Sequence, residues 1–304
     1  MSKINFKPDF FVVGFQKSAT STLHNIFKKS NLISLPLYKE THFFSQNEIF
    51  DKGIQWYKKQ FSFNENHKLI GEVDPSYSYL IDSVNNIKKI SENPKFIFIL
   101  RKPIDRAFSH YKMSVLRGYE KKEFNEAIIL ENDRLKKNSN FNKLNFSYLD
   151  RGNYVNQITR FQENFKESEF IFLDFDHFYD FDKRRKMILA LFDFLKLKID
   201  DSLLNINFHS NKSKKVRFKF VQKLLFGDNF LRNFLSNFIK SKNFKFMIKK
   251  VIQKYNLTDN FNKNKSLDYS NISKEIIDWN NKEVLKLEKL LKINLKKWII
   301  PYNE

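Results

Sequence analysis

Three short runs in this chain are built of apolar β-formers without alternation: Phe10–Val13, Phe96–Leu100 and Phe170–Leu173. A strand with one wet face alternates apolar and polar residues, whereas runs like these belong to parallel strands covered on both faces. Between them lie segments with apolar residues at helical spacing. These are Leu23, Ile26 and Phe27, then Ser83–Ser91, Phe124–Lys137, Tyr154–Phe165 and Arg184–Leu195. Asn31–Pro36 and Lys68–Glu72 read as further strands. Such β–α alternation predicts an α/β fold, a mainly parallel doubly wound sheet flanked by helices. Beyond Asn205 the strands are expected to stop, with Phe220–Tyr255 helical and Ile272–Trp298 an amphipathic helix pair. No Gly/Pro/Ser-rich linker divides the 304 residues. The expectation is one domain over 1–304, an α/β core over 9–205 and a helical cap over 206–304.

The first strand ends at Gly14, and the turn before Leu23 holds Lys17, Ser18, Thr20 and Ser21. Ser18, Thr20 or Ser21 can serve as the N-cap of the following helix. A helix start presents unpaired N–H groups at its positive dipole end, and a lysine with hydroxyls beside it suits a phosphate. The nucleotide-hydrolase pattern G-x-x-x-x-G-K-[ST] fails here at Phe11 and Gln16, and the dinucleotide pattern fails at Gln16 and Ala19. A second anion site follows the strand Lys95–Leu100, where Arg101 precedes a helix opened by Pro103. On that helix Ile104, Phe108 and Tyr111 form the expected buried stripe, with Arg106 and Ser109 on the other face. Arg101 and Ser109 can face one crevice, or Arg101 can pair with Asp105. Glu72 ends a strand, where ligands gather in open α/β sheets, though it can equally be a salt-bridge or capping carboxylate.

Composition excludes some chemistry. The chain has no cysteine, so there is no disulfide and no thiol nucleophile. Its six histidines form no close pair of the metal-binding kind, so no metal is expected. Lys and Arg total 55 against 34 Asp and Glu, a net charge of +21 that suits an anionic ligand, glycan, nucleic acid or membrane surface. Heavy use of Lys, Asn, Ile and Phe also fits a coding bias, so charge alone decides nothing. The first strand begins at Phe10, leaving no room for a signal peptide, and no uncharged run is long enough to span a bilayer. A cytoplasmic location is the expectation.

Strand–Gly14-x-x-Lys17-Ser18-x-Thr20-Ser21-x-Leu23 resembles the 5′-phosphosulfate loop of sulfotransferases that use 3′-phosphoadenosine 5′-phosphosulfate. Leu100-Arg101-x-Pro103-x-x-Arg106-Ala107-x-Ser109-x-Tyr111 closely resembles the 3′-phosphate motif of the same enzymes. Lys39-Glu40-x-His42-Phe43-Phe44 is similar to the K-E-x-H-F-F segment of their carbohydrate, heparan-sulfate-like branch. Gly71-Glu72-x-x-Pro75-Ser76-Tyr77 resembles that branch's G-E-K-[ST]-P-x-Y turn. Phe124-x-x-Ala127, Gly152-x-Tyr154 and the stretch from Leu287 to Trp298 are similar to bacterial, soluble members.

The resemblance implies a P-loop-like fold and sulfuryl transfer from 3′-phosphoadenosine 5′-phosphosulfate to a hydroxyl, with an amine as second choice, of a carbohydrate or glycan. Adenosine 3′,5′-bisphosphate would be the product, and no metal is required. It implies Lys17 at the leaving phosphate and Lys17, Ser18, Ala19, Thr20, Ser21 and Thr22 around it. Arg101 and Ser109 would hold the 3′-phosphate, with Glu72 as general base. His42 is the alternative base. Lys39 would contact the acceptor or sulfuryl group, or merely pair with Glu40. Lys214 and Lys215 would close over the cofactor phosphates, or form a solvated face; Tyr154 is expected to pack. Two departures stand out. Val73 replaces the lysine usual after the glutamate, so one site cation is missing or supplied elsewhere, and Ala19 replaces a common loop glycine at little expected cost.

Two other classes compete. A P-loop-like nucleotide-dependent kinase is disfavoured by the failed hydrolase pattern and by the lack of an acidic magnesium residue after a strand. A nucleic-acid-binding protein is disfavoured because the aromatics lie in apolar strands and helices rather than among the basic residues. The aromatic, basic stretch Phe218–Tyr255 reads as a helical cap, with peripheral contact to an anionic membrane as the weaker alternative. Acceptor identity and oligomeric state are not legible.

Overall fold

The computed structural model describes residues 6–204, 215–216, 257–258 and 267–302. They form two compact units, one of residues 6–102, 153–204 and 285–294, the other of 103–152, 215–216, 257–258, 267–284 and 295–302. The helices run in chain order as α1 (Thr20–Lys29), α2 (Asn47–Phe50), α3 (Gly53–Lys58), α4 (Asp82–Ile90), α5 (Pro103–Leu116) and α6 (Phe124–Ile129). After them come α7 (Glu131–Lys136), α8 (Asn140–Asn145), α9 (Tyr154–Asn164), α10 (Phe181–Phe194), α11 (Asp201–Leu204) and α12 (Lys274–Leu291).

The first unit is built on a five-stranded sheet. Strands β1 (Phe10–Gly14), β2 (Ile33–Ser34), β3 (Leu69–Val73), β4 (Lys95–Leu100) and β5 (Phe170–Asp174) lie in the order β2-β3-β1-β4-β5, every pair parallel. Successive residues of β1 serve opposite faces, as the period of a strand dictates. Phe10 and Val12 join Leu23, Ile26 and Phe27 of α1 and Ile188, Leu191 and Phe192 of α10 in one apolar cluster. Phe11 turns the other way, stacked on Phe96 at 6.1 Å, and Phe96 and Phe98 meet Phe161 of α9 at 5.0 and 5.7 Å. Helices therefore cover both faces, the doubly wound arrangement that the apolar runs predict. One glycine is dictated by this packing. A Cβ added to Gly71 would lie 2.1 Å from the Phe10 ring across the β1–β3 ladder.

The sheet differs from expectation at one edge. Phe170–Leu173 reads as buried, yet β5 pairs on one side only, and of the four only Leu173 is buried.

The second unit holds α5 to α8, the opening turns of α12 and a short antiparallel ladder of β6 (Lys215–Val216) with β7 (Leu257–Thr258). That ladder corrects the expectation that strands stop after Asn205. Ile272–Trp298 is one helix, α12, followed by a single 3₁₀ turn at Lys296–Trp298, rather than a helix pair. Phe124–Lys137 is likewise two short helices that meet at Leu130. Arg106 is fully buried and donates to the Tyr148 carbonyl, so α5 buries the residue expected on its open face. Gly152 is needed for space, since a Cβ there would meet the Trp279 ring at 2.6 Å. The stretch Phe220–Tyr255 lies outside the described residues.

Candidate active site

Three neighbouring strands, β3, β1 and β4, deliver their C-terminal ends to the same edge of the sheet. In open parallel sheets that edge is where ligands bind.

From β1 the chain turns through Gly14–Ala19 into α1. Lys17 and Ala19 both have left-handed backbones, with φ of 72° and 62°, and Ser18 lies between them. Alternating handedness of this kind curls successive N–H groups around a common point, the geometry of an anion-binding nest. The Ala19 carbonyl accepts the Thr22 and Leu23 N–H groups as α1 begins. Ala19 occupies the N-cap position and no side chain caps the helix, so the expected capping by Ser18, Thr20 or Ser21 does not occur. Ser18 is fully buried, and its Oγ has no hydrogen-bond partner among the described residues. A buried hydroxyl without a partner is costly unless a ligand completes it.

The Ala19 conformation overturns the expectation of a negligible cost. A left-handed alanine is strained by about 1–2 kcal/mol, which glycine would relieve while adding some freedom to the unfolded chain. Ala19→Gly is therefore expected to stabilise the fold by up to about 1 kcal/mol, read as a higher denaturant midpoint at unchanged slope.

From β4 comes Arg101. Its guanidinium donates to the Lys17 carbonyl at 2.7 Å and lies over the Phe175 ring at 4.1 Å. Tyr154 stacks on Phe15 at 3.9 Å and donates to the Arg101 carbonyl at 3.0 Å, so it packs beneath this loop as expected. Ser109 is half-buried on α5 in the second unit, where Asp105, the alternative partner considered for Arg101, accepts from Tyr269 at 2.8 Å.

From β3 and the residue that follows it come two carboxylates, Glu72 and Asp74, both fully buried and two residues apart on the same side of the chain. Between them they grip the loop Lys39–Phe44. Glu72 Oε1 accepts from the Thr41 N–H at 3.1 Å and the Thr41 hydroxyl at 2.5 Å, while Oε2 accepts from the Tyr57 hydroxyl. Asp74 Oδ2 accepts the His42 N–H at 3.1 Å and lies 2.9 Å from His42 Nδ1; Oδ1 accepts the Ser76 N–H at 2.9 Å. The gripped loop has left-handed backbones at Glu40 and His42, φ 66° and 55°. Phe43 and Phe44 anchor it from below, Phe43 stacked on Tyr57 at 4.4 Å. Lys39 pairs with Glu40, and the Lys39 charge reaches His24 of α1, whose imidazole burial holds neutral near a pKa of about 4.

The electrostatics of this corner are uneven. Burial pushes the Glu72 carboxyl up to about 7; the charge of Asp74 adds to that and the hydroxyl donors oppose it. Burial works against a charge on His42, yet Asp74 outweighs it and raises the imidazole to about 9, with Glu40 and Glu72 assisting. Val73 points the opposite way from its neighbours and packs in the apolar cluster with Phe10 and Val12, so position 73 brings no cation to the site.

The sequence reading named Lys17, Arg101, Lys39, His42 and Glu72, and all five belong to this one unit. It missed Thr41 within the loop, and Asp74, Tyr57 and Tyr77 as its partners, the Tyr77 hydroxyl lying 3.3 Å from that of Thr41 and accepting the Phe44 N–H at 3.5 Å. The available signal was a second carboxylate at strand spacing from Glu72, in a turn where the resembling motif has a hydroxyl residue. Lys214 lies outside the described residues and Lys215 opens β6. Among the described residues no helix is long and apolar enough to cross a membrane.

A family model described as "Sulfotransferase domain" matches residues 7–255. The chain is 35% identical over 111 residues to the membrane-associated sulfotransferase kil1 of Dictyostelium discoideum, covering 36% of this chain and 23% of that protein. It is 30% identical over 115 residues to human heparan sulfate glucosamine 3-O-sulfotransferase 5, covering 38% of this chain and 33% of that protein. The aligned regions thus span a third or less of these relatives' own length. Among solved structures, a sulfotransferase from Alicyclobacillus acidocaldarius superposes with a TM-score of 0.63 at 18% identity, over 96% of this chain and 99% of that one, a likeness of fold.

Proposed function

Because this chain belongs to the sulfotransferase domain family, we propose that it transfers a sulfuryl group from 3′-phosphoadenosine 5′-phosphosulfate to a hydroxyl of a carbohydrate. The observation that carries the donor assignment is the buried Ser18 hydroxyl, without a hydrogen-bond partner among the described residues, in a nest of left-handed turns at an uncapped helix start. A phosphate oxygen would satisfy that hydroxyl and the first N–H groups of α1 together. Relatives named as heparan sulfate glucosamine 3-O-sulfotransferases support the carbohydrate acceptor.

The donor brings an activated sulfuryl group on a phosphate leaving group, and the chain's task is positioning and charge stabilisation, as in phosphoryl transfer. Lys17 would neutralise charge on the leaving phosphate, with Ser18, Thr20, Ser21 and Thr22 fixing its orientation. Arg101, tied to the Lys17 carbonyl, would hold the 3′-phosphate. For the general base, geometry favours Glu40 over Glu72. A base must reach the acceptor hydroxyl. Glu72 is fully buried and both its oxygens are occupied, whereas the Glu40 side chain is 37% exposed. In this reading Glu72 shapes the loop on which Glu40 stands.

The test is calorimetric titration with adenosine 3′,5′-bisphosphate and with adenosine 5′-monophosphate, in EDTA, on wild type and Arg101→Ala. The bisphosphate should bind the wild type more tightly, and Arg101→Ala should weaken it about 10- to 100-fold, the worth of a charge-assisted contact. Equal affinity for the two nucleotides would reject the donor assignment, and a requirement for a divalent cation would favour a kinase.

A further inference from the structure

Two unusual residues adjoin in the β3 turn. Val73 removes a cation from the strand end, and Asp74 places a second buried carboxylate beside Glu72. A buried carboxylate is tolerated only when it is paired and hydrogen-bonded. Asp74 meets that demand with the His42 N–H on Oδ2 and the Ser76 N–H on Oδ1, and the His42 ring Nδ1 lies 2.9 Å from the same Oδ2 as an ion-pair contact. The double contact couples ring position to backbone position: the left-handed turn at His42 and its imidazole are set by one atom. Asp74 has no exposed side-chain surface while the His42 side chain is 31% exposed, so the counter-ion points inward and the cation outward.

We propose that Asp74 is a positioning residue that fixes His42 as a standing imidazolium at the edge of the site, supplying the positive charge that position 73 does not. This rests on the sulfuryl-transfer reading. It assigns His42 the role of an electrostatic partner for the transferring group or the acceptor, and withdraws it as a base. The titratable groups bearing on His42 are Glu72 of β3, Asp74 just after it and Glu40 of its own loop, all acidic, with the Lys39 cation of that loop acting on Asp74. Each favours the charged ring when ionised, Glu72 only above about pH 7, where its own carboxyl loses its proton.

The experiment begins on the ligand-free protein, so that it does not depend on the reaction. Ring-nitrogen NMR of His42 in the wild type should show titration near 9. In Asp74→Asn it should fall by about two units or more, toward the ordinary histidine value of about 6.5. Asp74→Ser serves as the second variant, restoring the hydroxyl residue of the resembling turn. Turnover is then followed against pH as the ratio of variant to wild type. The Asp74→Asn ratio should be about tenfold or more below one at pH 8 and rise toward one near pH 6, where the ring regains its proton. His42→Lys should retain far more kcat than His42→Gln. An ordinary pKa for His42 in the wild type would overturn the proposal. So would a variant ratio flat in pH, or equal inactivity of His42→Lys and His42→Gln. If no sulfuryl transfer is found at all, the NMR titration still decides whether Asp74 holds the charge, so failure of the two readings is distinguishable.

Discussion

Glu40→Gln is expected to lower kcat by about 10²- to 10⁴-fold, the usual contribution of a positioned base, with the donor KM and the denaturant midpoint close to wild type. The amide keeps the shape of the side chain and removes its capacity to take a proton. Glu72→Gln provides the contrast. One amide cannot accept from Thr41 N–H, Thr41 hydroxyl and Tyr57 hydroxyl as the carboxylate does, so a buried donor goes unmet. That should cost about 1–3 kcal/mol of stability, with turnover falling because the loop loosens. Steady-state kinetics paired with urea denaturation separates the two. A stable, inactive Glu40→Gln beside a destabilised Glu72→Gln supports the assignment. A fully active Glu40→Gln would return the base to Glu72.

Lys17→Ala is expected to cut kcat by about 10²- to 10³-fold, the cost of removing one preorganised group from a developing charge. Lys17 sits in a left-handed turn between Gly14 and α1, and Arg101 holds its carbonyl, so its backbone stays in place when the side chain is shortened. Binding of adenosine 3′,5′-bisphosphate should weaken less than turnover, because the lysine acts mostly on charge that appears as the bond breaks. Lys17→Arg should recover little, since a planar fork does not replace a compact ammonium in a tight turn. Single-turnover measurement at saturating donor isolates the chemical step. A loss confined to KM would assign Lys17 to ground-state binding alone.

What each prediction draws on shows how far the sequence alone reaches. The parallel sheet was legible because strands covered on both faces lose polar alternation, and Phe10–Val13 and Phe96–Leu100 carry that mark within a few residues. The turn from β1 into α1 was legible for the same local reason: a strand end, a lysine, hydroxyls and a helix start follow one another directly. The edge position of β5 was not legible, because an apolar run looks the same whether one neighbour or two pair with it. Nor was Arg106, whose burial depends on the Tyr148 carbonyl 42 residues away.

The active-site corner divides along that line. The sequence by itself determined that a loop bearing Lys17 and hydroxyls, an arginine at the end of another strand and a K-E-x-H-F-F segment share one α/β chain. Only tertiary structure decided their roles. Glu72 and Asp74 are about thirty residues from the loop they hold, and strand spacing alone does not reveal which N–H and hydroxyl donors will fill four carboxylate oxygens. Burial closes Glu72 off with three donors on its oxygens, while the Glu40 side chain stays 37% exposed, and the proposal of Glu40 as base rests on that difference. The physical reason is that accessibility and protonation are properties of surroundings assembled from distant segments, whereas strand, turn and helix are written in adjacent residues.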